Sequence, residues 1–194
     1  MGKHTGKGLK NIADYPSEQR QDYLLLIAAV AASDGAIHPD EMNLLSSWMD
    51  SFKLSDASRE VILANIHKPA TDLEQLEKKL ARTELVFSLM LDMMGMAMAD
   101  GVLMDDEIYM LRDVAENLNL SARDFDILIE FVHSAHQASM LSNPEPLYEH
   151  NIQSAFQLMR KRKVQLFPHT LLCPTSATFD KELKERWAGY QAKK

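Results

Sequence analysis

Two stretches with the same order of residues, AAVAASDGAIHPDE at 28–41 and GMAMADGVLMDDE at 95–107, decide how this sequence folds. Each runs from an alanine-rich or methionine-rich apolar segment through Asp-Gly to Asp-Glu. An unbroken apolar segment predicts a helix, glycine predicts its end, and an acidic pair favours the first turn of the next helix. Each copy therefore predicts a helix, a turn and a second helix.

The similarity between the two copies extends beyond these stretches. A constant offset of 66 aligns residues 23–66 with 89–132 without a gap, and nine positions are identical. Four of the identities, which pair Asp34, Gly35, Asp40 and Glu41 with their counterparts, fall within eight residues. Such clustering indicates a duplicated local geometry rather than chance similarity.

Helical periodicity continues through most of the chain, with Ser55 and Thr71 placed to cap the starts of further helices. The sequence therefore predicts an all-α fold, a single bundle of about seven or eight helices with an internal pseudo-two-fold repeat. The methionine-rich segment from Glu84 to Asp100 is apolar on every side, which favours a central, buried helix over a soft-metal site.

The chain divides into three predicted segments: a disordered leader at 1–14, a helical repeat domain at 15–140, and a helical extension at 141–194 that packs on or beside it. The extension ends in an amphipathic helix whose Phe179, Leu183, Trp187 and Tyr190 fall near one face. This helix either folds back on the bundle or docks on a partner.

The composition narrows the function. With 28 acidic and 21 basic side chains the net charge is −7, which argues against a nucleic-acid partner. The most apolar segment is shorter than the ~20 residues that span a bilayer, so no membrane span is expected. Cys173 is the single cysteine, which is typical of a reducing, cytoplasmic compartment. No set of acid, base and nucleophile can be assembled, so we expect no enzyme.

The repeated window has the spacing of positions 5, 6, 8 and 12 of an EF-hand calcium loop. Each copy lacks oxygen ligands at positions 1 and 3, so a hard cation such as calcium or magnesium would need both copies. The candidate ligands are Asp34, Asp40, Glu41, Asp100, Asp106 and Glu107. The alternative is that the glycines only end helices and that Glu41 and Glu107 only cap the following ones.

The doubled DG-x-aliphatic-x-x-x-E pattern, followed after the next helix by FKLS or LNLS, resembles the TerB family of tellurite-resistance proteins. The N-terminal domain of a J-domain co-chaperone belongs to the same broad group. The resemblance covers about residues 20–137, and Ser33 departs from the alanine usual before the first Asp-Gly. It implies a helical, internally repeated domain whose motif acids chelate a divalent cation, without catalysis.

Two functions follow from the sequence. One is a non-catalytic cation-binding module in stress response or regulation. The other is a metal-free helical adaptor that binds a protein through a groove or through its C-terminal helix. Both functions are compatible with a protein partner or with a homodimer.

Overall fold

The computed structural model describes residues 10–32, 37–67, 72–98, 103–140, 146–164 and 185–190. After a short 3-10 helix at Ile12–Asp14, the chain forms these helices: α1 (Ser17–Ala31), α2 (Pro39–Ser51), α3 (Asp56–His67), α4 (Leu73–Leu80), α5 (Val86–Ala97), α6 (Asp105–Asn117), α7 (Ala122–Met140) and α8 (Pro146–Lys161). Residues 185–190 form one more helical segment, here called the tail helix. No strand occurs within the described ranges, so the all-α prediction is confirmed.

Side chains of the expected type cap several helices. The Oγ of Ser55 accepts the backbone N–H of Ser58 at 3.2 Å before α3, as the sequence predicts. The cap of α4 is Asp72, whose Oδ1 accepts the N–H of Gln75 at 3.1 Å. The prediction of Thr71 is therefore off by one residue, and Thr71 itself lies outside the described residues.

The predicted disordered leader at 1–14 is wrong for its last residues. Asn11 caps the 3-10 helix by accepting the N–H of Ala13 at 2.9 Å, and Ile12 is buried in the core. A buried isoleucine fixes this segment because leaving its side chain in water would cost free energy. Residues 1–9 lie outside the described part of the chain.

The centre of the bundle is formed by α1 and α5, which pack against each other. All the residues of α5 from Val86 to Met96 are buried, so the predicted central position of the methionine-rich helix is confirmed. The methionines fill this interior as flexible apolar side chains. None of the described helices is long and apolar enough to cross a membrane.

The second half of the chain is extended by α8, which packs on α7. The tail helix lies against α8, and its Trp187 is fully buried with its ring 5.1 Å from that of Phe156, centroid to centroid. The tail thus folds back on the bundle, one of the two predicted alternatives. Phe179 and Leu183 lie outside the described residues.

Helix ends in the two halves follow the offset of 66. The starts of α2 and α6, at Pro39 and Asp105, and the starts of α3 and α7 both differ by this number. Lys53 and Asn119, also 66 apart, follow α2 and α6 with φ of 52° and 60°. Both close a Schellman turn, with the next residue donating its N–H to a carbonyl five residues back. A two-fold relation between the halves stays a prediction.

Candidate functional site

The six predicted ligands divide into two groups. Asp40 and Glu41 occupy the first turn of α2, and Asp106 and Glu107 occupy the first turn of α6. Asp34 and Asp100 lie in the segments 33–36 and 99–102, outside the described residues.

Glu41 caps the helix in which it lies. Its Oε2 accepts the backbone N–H of His38 at 2.9 Å, while Nδ1 of His38 accepts the N–H of Asp40 at 3.4 Å. The side chain of Asp40 is 62% exposed and lies 3.6 Å from the same imidazole nitrogen. Acidic side chains here also interact favourably with the positive end of the helix dipole.

Glu107 makes the equivalent bond in the second copy. Its Oε2 accepts the backbone N–H of Met104 at 2.7 Å, at the start of α6. Asp105 and Asp106 next to it are exposed. The predicted capping role of both glutamates is therefore confirmed. A carboxylate that accepts an N–H bond can also bind a cation, because it has about four lone-pair sites.

The course of α1 and α5 determines where the two Asp-Gly segments begin. The hydroxyl of Tyr15 donates to Oε1 of Glu84 at 2.8 Å, and the hydroxyl of Tyr23 donates to Oδ2 of Asp92 at 2.7 Å. Both bonds join residues 69 apart, and both partners advance by eight residues between them. The two helices therefore run side by side in the same direction. Their C-terminal ends, from which both Asp-Gly segments depart, lie at the same end of the pair.

Helices α2 and α6 lead away from that end. Nη1 of Arg20, near the start of α1, donates to the carbonyl of Lys53 just beyond α2 at 3.0 Å. The end of α2 thus lies near the start of α1, so α2 runs antiparallel to α1 and begins at the Asp-Gly end. Asn117, at the end of α6, donates to Oε2 of Glu77 on α4 at 2.9 Å. Lys79 of α4 in turn donates to Oε1 of Glu18 at the start of α1, at 2.5 Å, so α6 also ends near the start of α1.

The buried pair of Tyr23 and Asp92, which joins α1 to α5, is a structural contact that sequence reasoning missed. Both side chains are fully buried between α1 and α5. The pKa of Tyr23 is raised well above its ordinary value, mainly by burial and secondly by the facing carboxylate of Asp92. The phenol therefore stays protonated and donates the hydrogen bond. The signal was a lone aspartate within an apolar helix, because a buried carboxylate requires a hydrogen-bond donor.

The chemistry of the candidate site is that of a hard cation. Carboxylate oxygens are the preferred ligands of calcium and magnesium, and calcium takes six to eight of them. Within the described ranges no three acidic or histidine side chains come close enough to hold a metal. A cation site that uses the four described carboxylates would therefore also need Asp34 and Asp100, which lie outside the described residues.

Residues 59–129 match the family model described as "Tellurite resistance protein TerB". The chain thus contains a TerB-like domain. The match runs from α3 into α7 and includes the second Asp-Gly copy. The matched range is narrower than the expected range of about 20–137. Comparison with curated proteins and with solved structures gives no match.

Proposed function

We propose that this protein is a non-catalytic module that binds a divalent cation, calcium or magnesium. The ligands are carboxylates from both copies of the motif: Asp34, Asp40, Glu41, Asp100, Asp106 and Glu107. The observation that carries the proposal is the parallel course of α1 and α5, which brings the ends of both helices together. Half a calcium loop in each copy then contributes to one site.

The electrostatics of this end support a cation. Each copy of the motif concentrates aspartate and glutamate around the start of a helix, and helix dipoles alone offset only part of that charge. Carboxylates held close together raise one another's pKa or repel one another. A bound cation supplies the positive charge that keeps all of them ionised.

The biological role follows from the family match. The similarity to TerB over residues 59–129 supports a tellurite-resistance-like role in stress response or regulation, in the cytoplasm. The proposed module does not catalyse a reaction, which is consistent with the exposed, solvated positions of Asp40, Asp105 and Asp106. A general acid or base would instead need a shielded environment that tunes its pKa.

Calcium and magnesium titrations of the purified protein test the proposal, with binding heat and melting temperature as readouts. A ligand at about 100 times its dissociation constant stabilises the native state by roughly 2.7 kcal/mol. For a chain of this size that raises the melting temperature by roughly 5 to 11 °C. The Asp34→Asn, Asp100→Asn variant is expected to lose both responses.

The matched control removes the same number of charges away from the site. Glu60→Gln and Glu116→Gln replace exposed carboxylates in the middle of α3 and near the end of α6. This control should keep the response to calcium or magnesium. Equal melting curves with and without millimolar cation in the unaltered protein would contradict the proposal.

A further inference from the structure

The tail helix carries three side chains that contact α8. The Arg186 guanidinium forms a two-bond ion pair with the Glu149 carboxylate, at 3.1 and 2.8 Å. Trp187 and Tyr190 place their rings 5.1 and 5.6 Å from the ring of Phe156. Arginine, tryptophan and tyrosine are the residues that contribute most to binding at protein interfaces. The tail helix therefore has the composition of a docking peptide.

The surface that receives it is one face of α8. Glu149, Phe156 and Arg160 are spaced seven and four residues apart, which places them on the same side of a helix. The guanidinium of Arg160 lies 5.6 Å from the ring centre of Tyr190. This α8 face, defined by the three residues, belongs to the helix that packs on α7, whereas the bundle centre is formed by α1 and α5. Release of the tail would leave α1 and α5 in contact.

One atom of the tail is poorly accommodated. Trp187 is fully buried, yet its indole N–H finds no hydrogen-bond acceptor in the described part of the chain. An unpaired buried donor costs free energy, because in water the same group would be hydrogen-bonded. The docked tail is thus held by ring packing and by a partly exposed ion pair, and these oppose the cost of the indole donor.

We infer that the α8 face also accepts the tail helix of a second copy of this chain, so that two copies associate by exchanging tails. Twenty residues separate Val164 from Glu185, and an extended chain of that length reaches roughly 65 Å. The same ring contacts and ion pair therefore form within one chain or between two. Once a tail leaves its own α8 face, Phe156 and Trp187 are exposed to water, which favours covering them again. Exchange of identical elements is a low-cost route to dimers.

Charge reversal across the ion pair tests the inference. In the Glu149→Arg variant the tail is repelled by its own α8 face, and the same holds for the Arg186→Glu variant. When the two variants are mixed, each tail meets the opposite charge on the other chain. At low ionic strength native mass spectrometry should show the mixed dimer in roughly fivefold or greater excess over either single-variant dimer, because two restored ion pairs each contribute up to about a fivefold effect.

Two controls complete the experiment. The double variant Glu149→Arg, Arg186→Glu restores the ion pair within one chain. With each single variant it should form no more mixed dimer than the unaltered protein forms with that variant. Trp187→Ala in both chains should abolish the mixed dimer, since the aromatic contact is lost while the charges stay. In an equimolar mixture, a mixed dimer only about twice as abundant as either single-variant dimer, which random pairing gives, or only monomers near 22.0 kDa, would overturn the inference. The inference does not depend on cation binding.

Discussion

Helices α3 and α7 begin 66 residues apart, but the corresponding residues along them have different surroundings. Val61 and Leu63 of α3 are 42% and 38% exposed, whereas their counterparts Ile127 and Ile129 of α7 are half-buried and buried. For Ile127 the difference follows from the packing of α8 on α7, because Ile127 shares one side of α7 with Phe131, which contacts Phe156 of α8. Similar local sequence therefore sets where a helix begins, while the chain that follows sets which of its faces is buried.

The inner helices provide the comparison in which the halves are alike. Ala28 of α1 and Met94 of α5 are 66 residues apart and are both fully buried. We expect Ala28→Lys and Met94→Lys each to lower the free energy of unfolding by more than about 4 kcal/mol, because an unpaired charge is then placed in the core. Chemical denaturation followed by circular dichroism measures the loss.

Met104→Lys is the control for the same chemical change at the surface. Met104 is 60% exposed, so the free energy of unfolding should change by no more than about 0.5 kcal/mol. A folded Met94→Lys variant as stable as this control would show that α5 presents a binding surface rather than a core.

The outer helices provide the comparison in which the halves differ. Phe131 of α7 is fully buried and lies 6.5 Å from Phe156, centroid to centroid, whereas its counterpart Asn65 of α3 is half-buried. Phe131→Ala should cost about 3 to 5 kcal/mol of unfolding free energy, because it leaves a cavity between α7 and α8. Asn65→Ala should cost no more than about 0.5 kcal/mol. Similar losses at both positions, measured by urea unfolding, would mean that α8 does not distinguish the two halves.

The smallest expected effect concerns the turns after α2 and α6. Lys53 and Asn119 both have positive φ, a region in which side chains are strained and asparagine is tolerated better than lysine. Lys53→Gly should raise the free energy of unfolding by about 0.5 to 1 kcal/mol, and Asn119→Gly by less. Both changes are measured by denaturant midpoints.

Glycine inside a helix serves as the control for that substitution. Glu60→Gly, at an exposed position in α3, should lower the free energy of unfolding by about 1 kcal/mol because it adds backbone freedom to the unfolded chain. An equal loss in the Lys53→Gly variant would show that the turn after α2 is not strained.

Part of the candidate site could be predicted from the sequence. The positions of Glu41 and Glu107, three residues after the N-cap of each helix, predict the capping bonds that both make. The buried bond between Tyr23 and Asp92 could not be predicted, since nothing local pairs residues 69 apart. Together with the bond between Tyr15 and Glu84, it shows that α1 and α5 run in the same direction, with their C-terminal ends at the same end of the pair.

The sequence by itself determined the helical class, the central methionine-rich helix and most helix ends. These depend on hydrogen bonds and side-chain periodicity within a few residues, which are properties of the local chain. Only the tertiary structure decided that α1 and α5 run parallel, that α8 covers α7 and not α3, and that Trp187 packs on Phe156. Those contacts join distant residues through apolar burial, which has no direction and no fixed spacing along the chain.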